Sequence, residues 1–274
     1  MKDIFPEKII GTFQIISQNE MDDIVNAAIS SGCFAFDTAP SYGSESLLGE
    51  GIRRCVSETG ISREQMFIQD KIDPIQMYYC DKKKLDEFVK KQLSTMSLEY
   101  LDCLLIHWPL HKYFSKIWES MLDLKRNGWV KKIGVCNIDI RGYENLFISN
   151  SYSNPDVIQN EISPLNTDKE NIEYFFRKEI IVEAYSPLCR MDIRIKESPN
   201  LINIANQYGA DVARIVLKWH IQNGIVPIFT SRKAKRITDN LKLDFELKKD
   251  ELEMINLLND NYKIFPLSHG CPGY

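Results

Sequence analysis

Residues 33–43 read CFAFDTAPSYG and place a short apolar run directly before an aspartate, small residues, a proline and a tyrosine. This order predicts a buried β-strand that ends in a polar turn. In a closed barrel of parallel strands, the carboxyl ends share the face that carries the chemistry. Asp37, at the end of the predicted strand, and Tyr42, in the turn, are therefore the first candidate functional residues.

Seven more apolar stretches are rich in β-branched and aromatic residues: KIIGTFQI, MFIQDKI, LDCLLIHW, KKIGVCN, DVIQNEI, IIVEAYSPL and GIVPIFT. Between them, apolar residues recur at helical spacing, as in residues 85–93 and 117–124. Ser198 followed by Pro199 predicts a helix start, and Gly128 and Gly224 predict helix ends.

Strands that are apolar on both faces and joined by helices suit right-handed parallel β-α crossovers. Eight such units predict one (β/α)8 TIM barrel, which we expect to occupy residues 1–274 as a single domain. A doubly wound open sheet is the alternative, but its Gly-x-Gly-x-x-Gly turn is absent after the first predicted strand.

The composition is that of an ordinary globular protein, with 44% hydrophobic residues, 26% charged residues and a formal net charge of -4. This balance argues against nucleic acid as a partner, and we interpret the locally basic residues 81–91 as a solvated helix face. Residues 1–15 do not resemble a leader, and no apolar run approaches the ~18 residues of a membrane span. We therefore expect a cytoplasmic protein with no membrane partner.

The cysteines and histidines do not have the spacing of a metal site or a disulfide framework. The seven cysteines, at positions 33, 55, 80, 103, 136, 189 and 271, are odd in number and widely spaced, which predicts free thiols in a reducing compartment. Pro109 interrupts the helix that His107 and His111 would need to bind one metal, and His220 and His269 have no ligand-type neighbours at suitable spacing. We expect no metal.

Polar residues at the ends of successive predicted strands favour a proton-transfer site, although each alone also suits a helix cap or the core. A phenol with a pKa of about 10 needs a nearby cation to ionise near neutrality, and Lys71 could provide it for Tyr42. Asp37 would hold that ammonium, and His107 would fix a substrate oxygen. Alternatively, Lys71 could form a Schiff base, which requires a neutral lysine.

Several motifs resemble those of the aldo-keto reductases, in order and over nearly the whole chain: GTFQI, FDTAPSYGSESLLGEGIR, DKI, LDCLLIHWP, GWVKKIGVCN, QNEISPLN, EAYSPL and VPIFTSRKAKRITDN. The resemblance implies a barrel enzyme that reduces an aldehyde or ketone with NADPH. Tyr42 would be the general acid, Lys71 and Asp37 would tune it, and His107 would orient the carbonyl.

The same resemblance implies a cofactor site. Asn137 and Gln159 would bind the nicotinamide carboxamide, and Tyr185 would stack on its ring. The other implied cofactor residues are Gly11, Thr12, Asp37, Cys136, Ser186, Pro187, Leu188, Thr230, Ser231, Arg232, Arg236, Asp239 and Asn240. Because the guanidinium groups of Arg232 and Arg236 suit a 2′-phosphate, NADPH is favoured over NADH. The alternative is a solvated basic helix start.

The pocket is expected to be open. Short predicted loops after the strands leave the carbonyl substrate unspecified, with Trp108 as an aromatic wall or a packing residue. Cys136 and Ser44 replace the usual Ser and Asn of the family, and IFTSR lacks its usual Lys-Ser pair. We expect a monomer, without excluding an oligomer. The alternative function is a regulatory or redox-sensing subunit that binds a nicotinamide nucleotide with little turnover.

Overall fold

The computed structural model describes residues 5–266, in which eight parallel strands close into a barrel in chain order. The strands are β1 Ile9–Gly11, β2 Ala35–Asp37, β3 Phe67–Ile72, β4 Leu101–Ile106, β5 Val130–Cys136, β6 Val157–Glu161, β7 Ile181–Tyr185 and β8 Val226–Phe229. Each overlaps one of the eight segments predicted from the sequence. The barrel is therefore confirmed, and the alternative of an open sheet is wrong.

Helices follow the strands and cover the outside of the barrel. They are α1 Gln18–Ser30, α2 Glu45–Thr59, α3 Pro74–Tyr79, α4 Lys82–Met96, α5 His111–Arg126, α6 Ile140–Tyr143, α7 Lys169–Arg177, α8 Ile193–Lys196, α9 Pro199–Gln207, α10 Val212–Gln222, α11 Ala234–Asn240 and α12 Lys249–Asn256. The predicted start of α9 is confirmed, since the Ser198 side chain accepts a hydrogen bond from the backbone N–H of Leu201. The predicted ends are also confirmed, because α5 and α10 stop just before Gly128 and Gly224, both with positive φ.

The interior contains a large apolar cluster and a smaller group of buried polar side chains. Apolar side chains such as Phe36, Leu104 and Trp118 are buried in one large cluster. The barrel also contains buried polar residues on neighbouring strands, because Asp37 of β2 pairs in register with Gln69 of β3, and Gln159 of β6 pairs with Glu183 of β7. The strands thus bring polar groups together that are far apart in the chain.

Gly134 in β5 lies where neighbouring strands approach closely. A Cβ atom at this position would lie 2.2 Å from the carbonyl oxygen of Val157 and 2.7 Å from Cδ2 of Leu105. Because the sheet holds that carbonyl in place, we expect Gly134→Ala to lower the free energy of unfolding by about 3 kcal/mol. Urea denaturation would measure this loss, and an unchanged midpoint would contradict the packing described here.

The remaining predictions about the chain can be compared with its described part. Six cysteines in residues 5–266 are free, as predicted, and all six are buried, whereas Cys271 and His269 lie outside the described residues. In the same part of the chain, no helix is long and apolar enough to cross a membrane, and no group of three or more His, Cys, Asp or Glu side chains could hold a metal ion. Only residues 107–110 separate β4 from α5, which confirms a short loop there.

Candidate active site

Asp37, Tyr42 and Lys71 meet at the carboxyl ends of β2 and β3. The Lys71 ammonium donates to both carboxylate oxygens of Asp37, at 2.6 and 2.7 Å, and to the Thr38 carbonyl oxygen at 3.1 Å. Its Nζ also lies 3.3 Å from the Tyr42 hydroxyl oxygen. Lys71 and Asp37 are both buried, so the ion pair is shielded from water directly beside a phenol.

The Lys71 side chain is held in its charged form. Burial alone would lower the pKa of Lys71, but the adjacent Asp37 carboxylate outweighs burial and raises that pKa above its usual value. A Schiff-base nucleophile needs a neutral amine. The contact with Asp37 therefore argues against a Schiff base at Lys71.

Tyr42 ends a 3₁₀ turn, Pro40–Tyr42, that follows β2. Gly43 closes the turn with φ 66°, a left-handed conformation that glycine adopts without strain. Burial raises the pKa of the half-buried Tyr42, and the Lys71 charge offsets only part of this effect. Near neutral pH the phenol is protonated, so it can act as a proton donor.

His107 lies just beyond β4, and its ring packs against that of Tyr42. Its ring centroid is 5.7 Å from that of Tyr42, in an edge-to-face arrangement. Burial lowers the pKa of His107, and the nearby Lys71 charge lowers it further, although a hydrogen bond with Asp73 opposes both. The ring is therefore neutral near pH 7.

Asp73 is a site residue that the sequence analysis missed. It follows β3, is buried, and places Oδ1 2.5 Å from Nδ1 of His107. Its Oδ2 accepts a hydrogen bond from the backbone N–H of Ser41 at 2.7 Å, and Oδ1 also accepts from the Ser41 hydroxyl at 3.2 Å. The strand-end argument that selected Lys71 could have found Asp73, since only Ile72 separates the two.

Below the Asp37–Lys71 pair, three buried side chains, Gln69, Gln159 and Glu183, form a polar layer inside the barrel. The Gln69 amide donates to Asp37 Oδ2 and to Glu183 Oε2, both at 2.9 Å. The Gln159 amide donates to the same two oxygens, at 3.3 and 2.8 Å. Both glutamines thus connect the carboxylate that holds Lys71 to Glu183, which the sequence analysis did not select.

At the other side of the barrel mouth, Asn137 links two predicted site residues. Its Oδ1 accepts a hydrogen bond from the Tyr185 hydroxyl at 2.7 Å, and its Nδ2 donates to the His107 carbonyl oxygen at 2.9 Å. Asn137 and Ser186 have φ values of 57° and 49°, so the backbone turns sharply where β5 and β7 end. The Cys136 side chain is buried with Cys103, Leu105 and Val157.

Gly11 and Thr12 pack closely against their neighbours at the end of β1. A Cβ on Gly11 would lie 2.5 Å from the Thr230 hydroxyl oxygen. The Thr12 hydroxyl donates to the Asp37 carbonyl oxygen at 3.0 Å and lies 2.8 Å from Ser44 Oγ. Ser44 Oγ is also 3.1 Å from the Thr38 hydroxyl oxygen, so Ser44 joins the ends of β1 and β2.

The predicted phosphate-binding segment follows β8 and is mostly exposed. Arg232 forms an ion pair with Glu20 of α1, at 2.7 and 2.9 Å, and Arg236 is exposed on α11. The Asp239 carboxylate pairs with Lys235 and Lys242, and the Ser231 hydroxyl hydrogen-bonds to the backbone of Lys233. Pro187 and Asn240 are buried, and Leu188 is half-buried.

The sequence profile described as the Aldo/keto reductase family matches residues 9–260. The chain belongs to this family. An uncharacterized oxidoreductase, YtbE, and a glyoxal reductase, both of Bacillus subtilis (strain 168), are 38% and 34% identical over 258 residues, covering 94% of this chain and 90% of each relative. A Bombyx mori aldo-keto reductase, solved in complex with NADP, superposes with a TM-score of 0.88 at 28% identity, over 96% of this chain and 92% of that one. The resemblance seen in the motifs is confirmed.

Aromatic side chains lie beside Tyr42, His107 and Tyr185 in this aldo-keto reductase. The exposed Phe13, in the loop after β1, packs edge-to-face on Tyr42 at 5.1 Å between ring centroids. Trp108 is half-buried, 6.5 Å from the His107 ring. Phe265 lies 6.2 Å from Tyr185 and is held because the Glu161 carboxylate accepts its backbone N–H. The sequence analysis missed Phe13 and Phe265, although Phe13 directly follows the Gly11-Thr12 pair.

The polar layer predicts a pH-dependent stability for this aldo-keto reductase. Burial, together with the nearby Asp37 charge, raises the pKa of Glu183 from 4.5 to about 8. Between these values the folded chain keeps a proton that the unfolded chain releases, so stability falls as pH rises. Relative to Glu183→Gln, the free energy of unfolding should fall by up to about 1.4 kcal/mol per pH unit. Urea denaturation of both proteins at several pH values measures the difference, and parallel curves would contradict a protonated Glu183.

Proposed function

We propose that the chain is an enzyme that reduces an aldehyde or ketone to an alcohol with NADPH, and that Tyr42 donates the proton. The observation that carries the proposal is the buried Lys71, whose ammonium contacts both Asp37 oxygens and lies 3.3 Å from the Tyr42 hydroxyl. A charged lysine beside a protonated phenol is suited to proton donation, because it stabilises the phenolate that remains.

The residues along the barrel mouth fit a nicotinamide dinucleotide. Asn137 directly follows β5, Gln159 lies in the middle of β6 with its amide bonded to Asp37 and Glu183, and the half-exposed Tyr185 offers a ring face. Amides can pair with a carboxamide, and an aromatic face can stack on a planar ring. At the other end, the exposed guanidinium groups of Arg232 and Arg236 suit a phosphate, which supports NADPH over NADH.

In the proposed reaction the bound cofactor supplies the hydride to the carbonyl carbon, and the protein supplies the proton and the positioning groups. Tyr42 transfers its phenolic proton to the carbonyl oxygen, and Lys71 stabilises the resulting phenolate. Asp37 keeps Lys71 charged and in place, and His107 orients the substrate oxygen. Trp108 and Phe13 form apolar walls beside this oxygen.

Small carbonyl compounds are the proposed substrates. The short segment between β4 and α5 leaves the mouth open, and one relative is named a glyoxal reductase. Glyoxal therefore belongs in the first substrate panel, beside simple aldehydes and ketones. We further propose a cytoplasmic, single-domain protein, since free and buried cysteines suit a reducing compartment and one barrel contains all eight described strands.

The test is a fluorescence titration with NADPH and NADH, followed by the absorbance loss of the reduced nicotinamide with the carbonyl panel. We expect NADPH to bind at least about ten-fold more tightly than NADH, because charged hydrogen bonds to a phosphate are strong. We also expect turnover with small aldehydes. Binding without turnover would favour the regulatory alternative, and no binding would contradict the proposed cofactor residues.

No observation favours a redox-sensing subunit at present. Burial raises the pKa of the Cys136 thiol well above its usual value, and the side chain is fully buried. Redox-sensing cysteines are exposed and have lowered pKa values. Cys136 therefore lacks both features of a sensor.

A further inference from the structure

Asp73 connects the two groups that face the substrate oxygen in the proposed reaction. Its Oδ1 lies 2.5 Å from Nδ1 of His107, while its Oδ2 accepts the backbone N–H of Ser41, the residue before Tyr42. Asp73 is 6% exposed, so this carboxylate is shielded from water on both sides. A buried carboxylate with three hydrogen-bond partners, at the base of the turn that carries the proton donor, has more than a packing role.

The contact determines which nitrogen of His107 carries the proton. An ionised carboxylate can only accept, so Nδ1 must be the donor in this pair. The hydrogen bonds with His107 and Ser41 lower the pKa of Asp73 against the effect of burial, which keeps the carboxylate ionised. In the neutral ring, Nε2 is consequently the unprotonated nitrogen.

We propose that Asp73 is a positioning residue that fixes His107 in the Nδ1–H tautomer, so that His107 donates a hydrogen bond to a substrate oxygen only as an imidazolium. The neutral ring accepts a hydrogen bond at Nε2 instead, which suits an alcohol hydroxyl. His107 thus favours carbonyl binding at low pH and alcohol binding at higher pH. This inference rests on the proposed function for its kinetic consequence, but not for the tautomer itself.

The charges around His107 give the direction of the pH effect. Asp73, at the end of β3, favours the imidazolium, as does Asp37 of β2, whereas Lys71 of β3 opposes it. Tyr42, on the turn after β2, is uncharged near neutral pH because its pKa is raised. With the pKa of His107 below 6.5, the imidazolium and its hydrogen bond are lost as pH rises through the weakly acidic range.

The first experiment observes the tautomer directly in the wild-type protein. Two-bond ¹H–¹⁵N correlation spectra of the ¹⁵N-labelled chain distinguish Nδ1–H, Nε2–H and doubly protonated rings, and a His107→Gln spectrum assigns the signal. We expect the Nδ1–H pattern above the pKa of His107. The Nε2–H pattern there would overturn the proposal. This readout needs neither cofactor nor turnover.

The second experiment reverses the tautomer with Asp73→Asn. In the wild type, the Ser41 backbone N–H donates to Oδ2 of Asp73, and Oδ1 faces Nδ1 of His107. In the variant, the same N–H should bond to the amide oxygen of the new asparagine, which places the amide N–H₂ beside Nδ1 of His107. An amide N–H there donates to Nδ1 and places the ring proton on Nε2. The variant should therefore show the Nε2–H pattern. Asp211→Asn, at the exposed N-cap of α10, is the matched control and should retain the wild-type pattern.

The third experiment compares pH profiles of kcat/KM for carbonyl reduction. Wild type and Asp211→Asn should lose about ten-fold or more from about pH 5 to 7.5, since a charged hydrogen bond is worth roughly that factor. Asp73→Asn should change by less than about two-fold, because its neutral ring still donates. An equally steep profile in Asp73→Asn, or a flat one in the wild type, would overturn the proposal. If no protein turns over, the proposed function fails while the spectra still decide the tautomer.

Discussion

Replacement of Tyr42 by phenylalanine is expected to reduce kcat by about 10²- to 10⁴-fold, the usual contribution of a positioned proton donor. The ring itself should stay in place, since it packs edge-to-face on Phe13 and His107, at 5.1 and 5.7 Å between centroids. Only the hydroxyl, 3.3 Å from Lys71 Nζ, is removed. NADPH affinity should therefore remain close to that of the wild type, which fluorescence titration can check beside the steady-state rates.

A second tyrosine provides the control for this change. The Tyr152 hydroxyl donates to Glu119 at 3.0 Å on the outside of the barrel, so Tyr152→Phe removes a hydroxyl of the same type away from the site. It should leave kcat within about two-fold of the wild type, because surface substitutions of this kind are nearly neutral. If Tyr42→Phe were equally active, Tyr42 would not be the proton donor.

Replacement of Lys71 by methionine is expected to affect both activity and stability. The rate should fall by about 10² to 10⁴, because the ammonium that stabilises ionised Tyr42 is lost. The free energy of unfolding should also fall by about 3–5 kcal/mol, since Asp37 becomes an unpaired buried carboxylate. Steady-state kinetics and urea denaturation measure the two effects separately.

The double variant Asp37→Asn/Lys71→Met separates catalysis from folding. Replacing both partners of a buried ion pair removes the unpaired charge, so most of the lost stability should return. Activity should not return, because the cation beside Tyr42 is still missing. If Lys71→Met were as stable as the wild type, Asp37 would not depend on Lys71 for its charge balance, and the electrostatic description of the site would be wrong.

The sequence was sufficient to predict the barrel and the residues that meet at its mouth. Each apolar segment of the sequence forms one strand, and the carboxyl ends of the parallel strands lie on one face of the barrel. Asp37, Lys71 and His107 could therefore be selected because each lies at or next to the end of a predicted strand. The same argument could have selected Asp73, two residues after Lys71, but not its role, because that role depends on where the His107 ring points. Side-chain direction beyond a strand end is set by packing that the sequence pattern does not contain.

Two other contacts depend on register between distant segments. Glu183 is an acid within an apolar strand, and only the pairing of β6 with β7 places it beside Gln159. Arg232 was predicted as a phosphate ligand, but its pairing with Glu20, 212 residues earlier, follows from the neighbouring positions of α1 and α11 in the closed barrel. Such contacts between residues far apart in the sequence can be identified only from the folded structure.

The attachment of the Tyr42 turn to Asp73 has a consequence for changing the substrate range of this protein. The turn is fastened to the end of β3 by the Ser41 N–H at 2.7 Å, and Tyr42 itself contacts Lys71 of the same strand. These contacts come from β3 and from Asp73, the residue that follows it. Longer loops inserted between residues 108 and 111, or after residue 256, would enclose larger ligands. Tyr42 would therefore keep its position relative to Lys71 and Asp73.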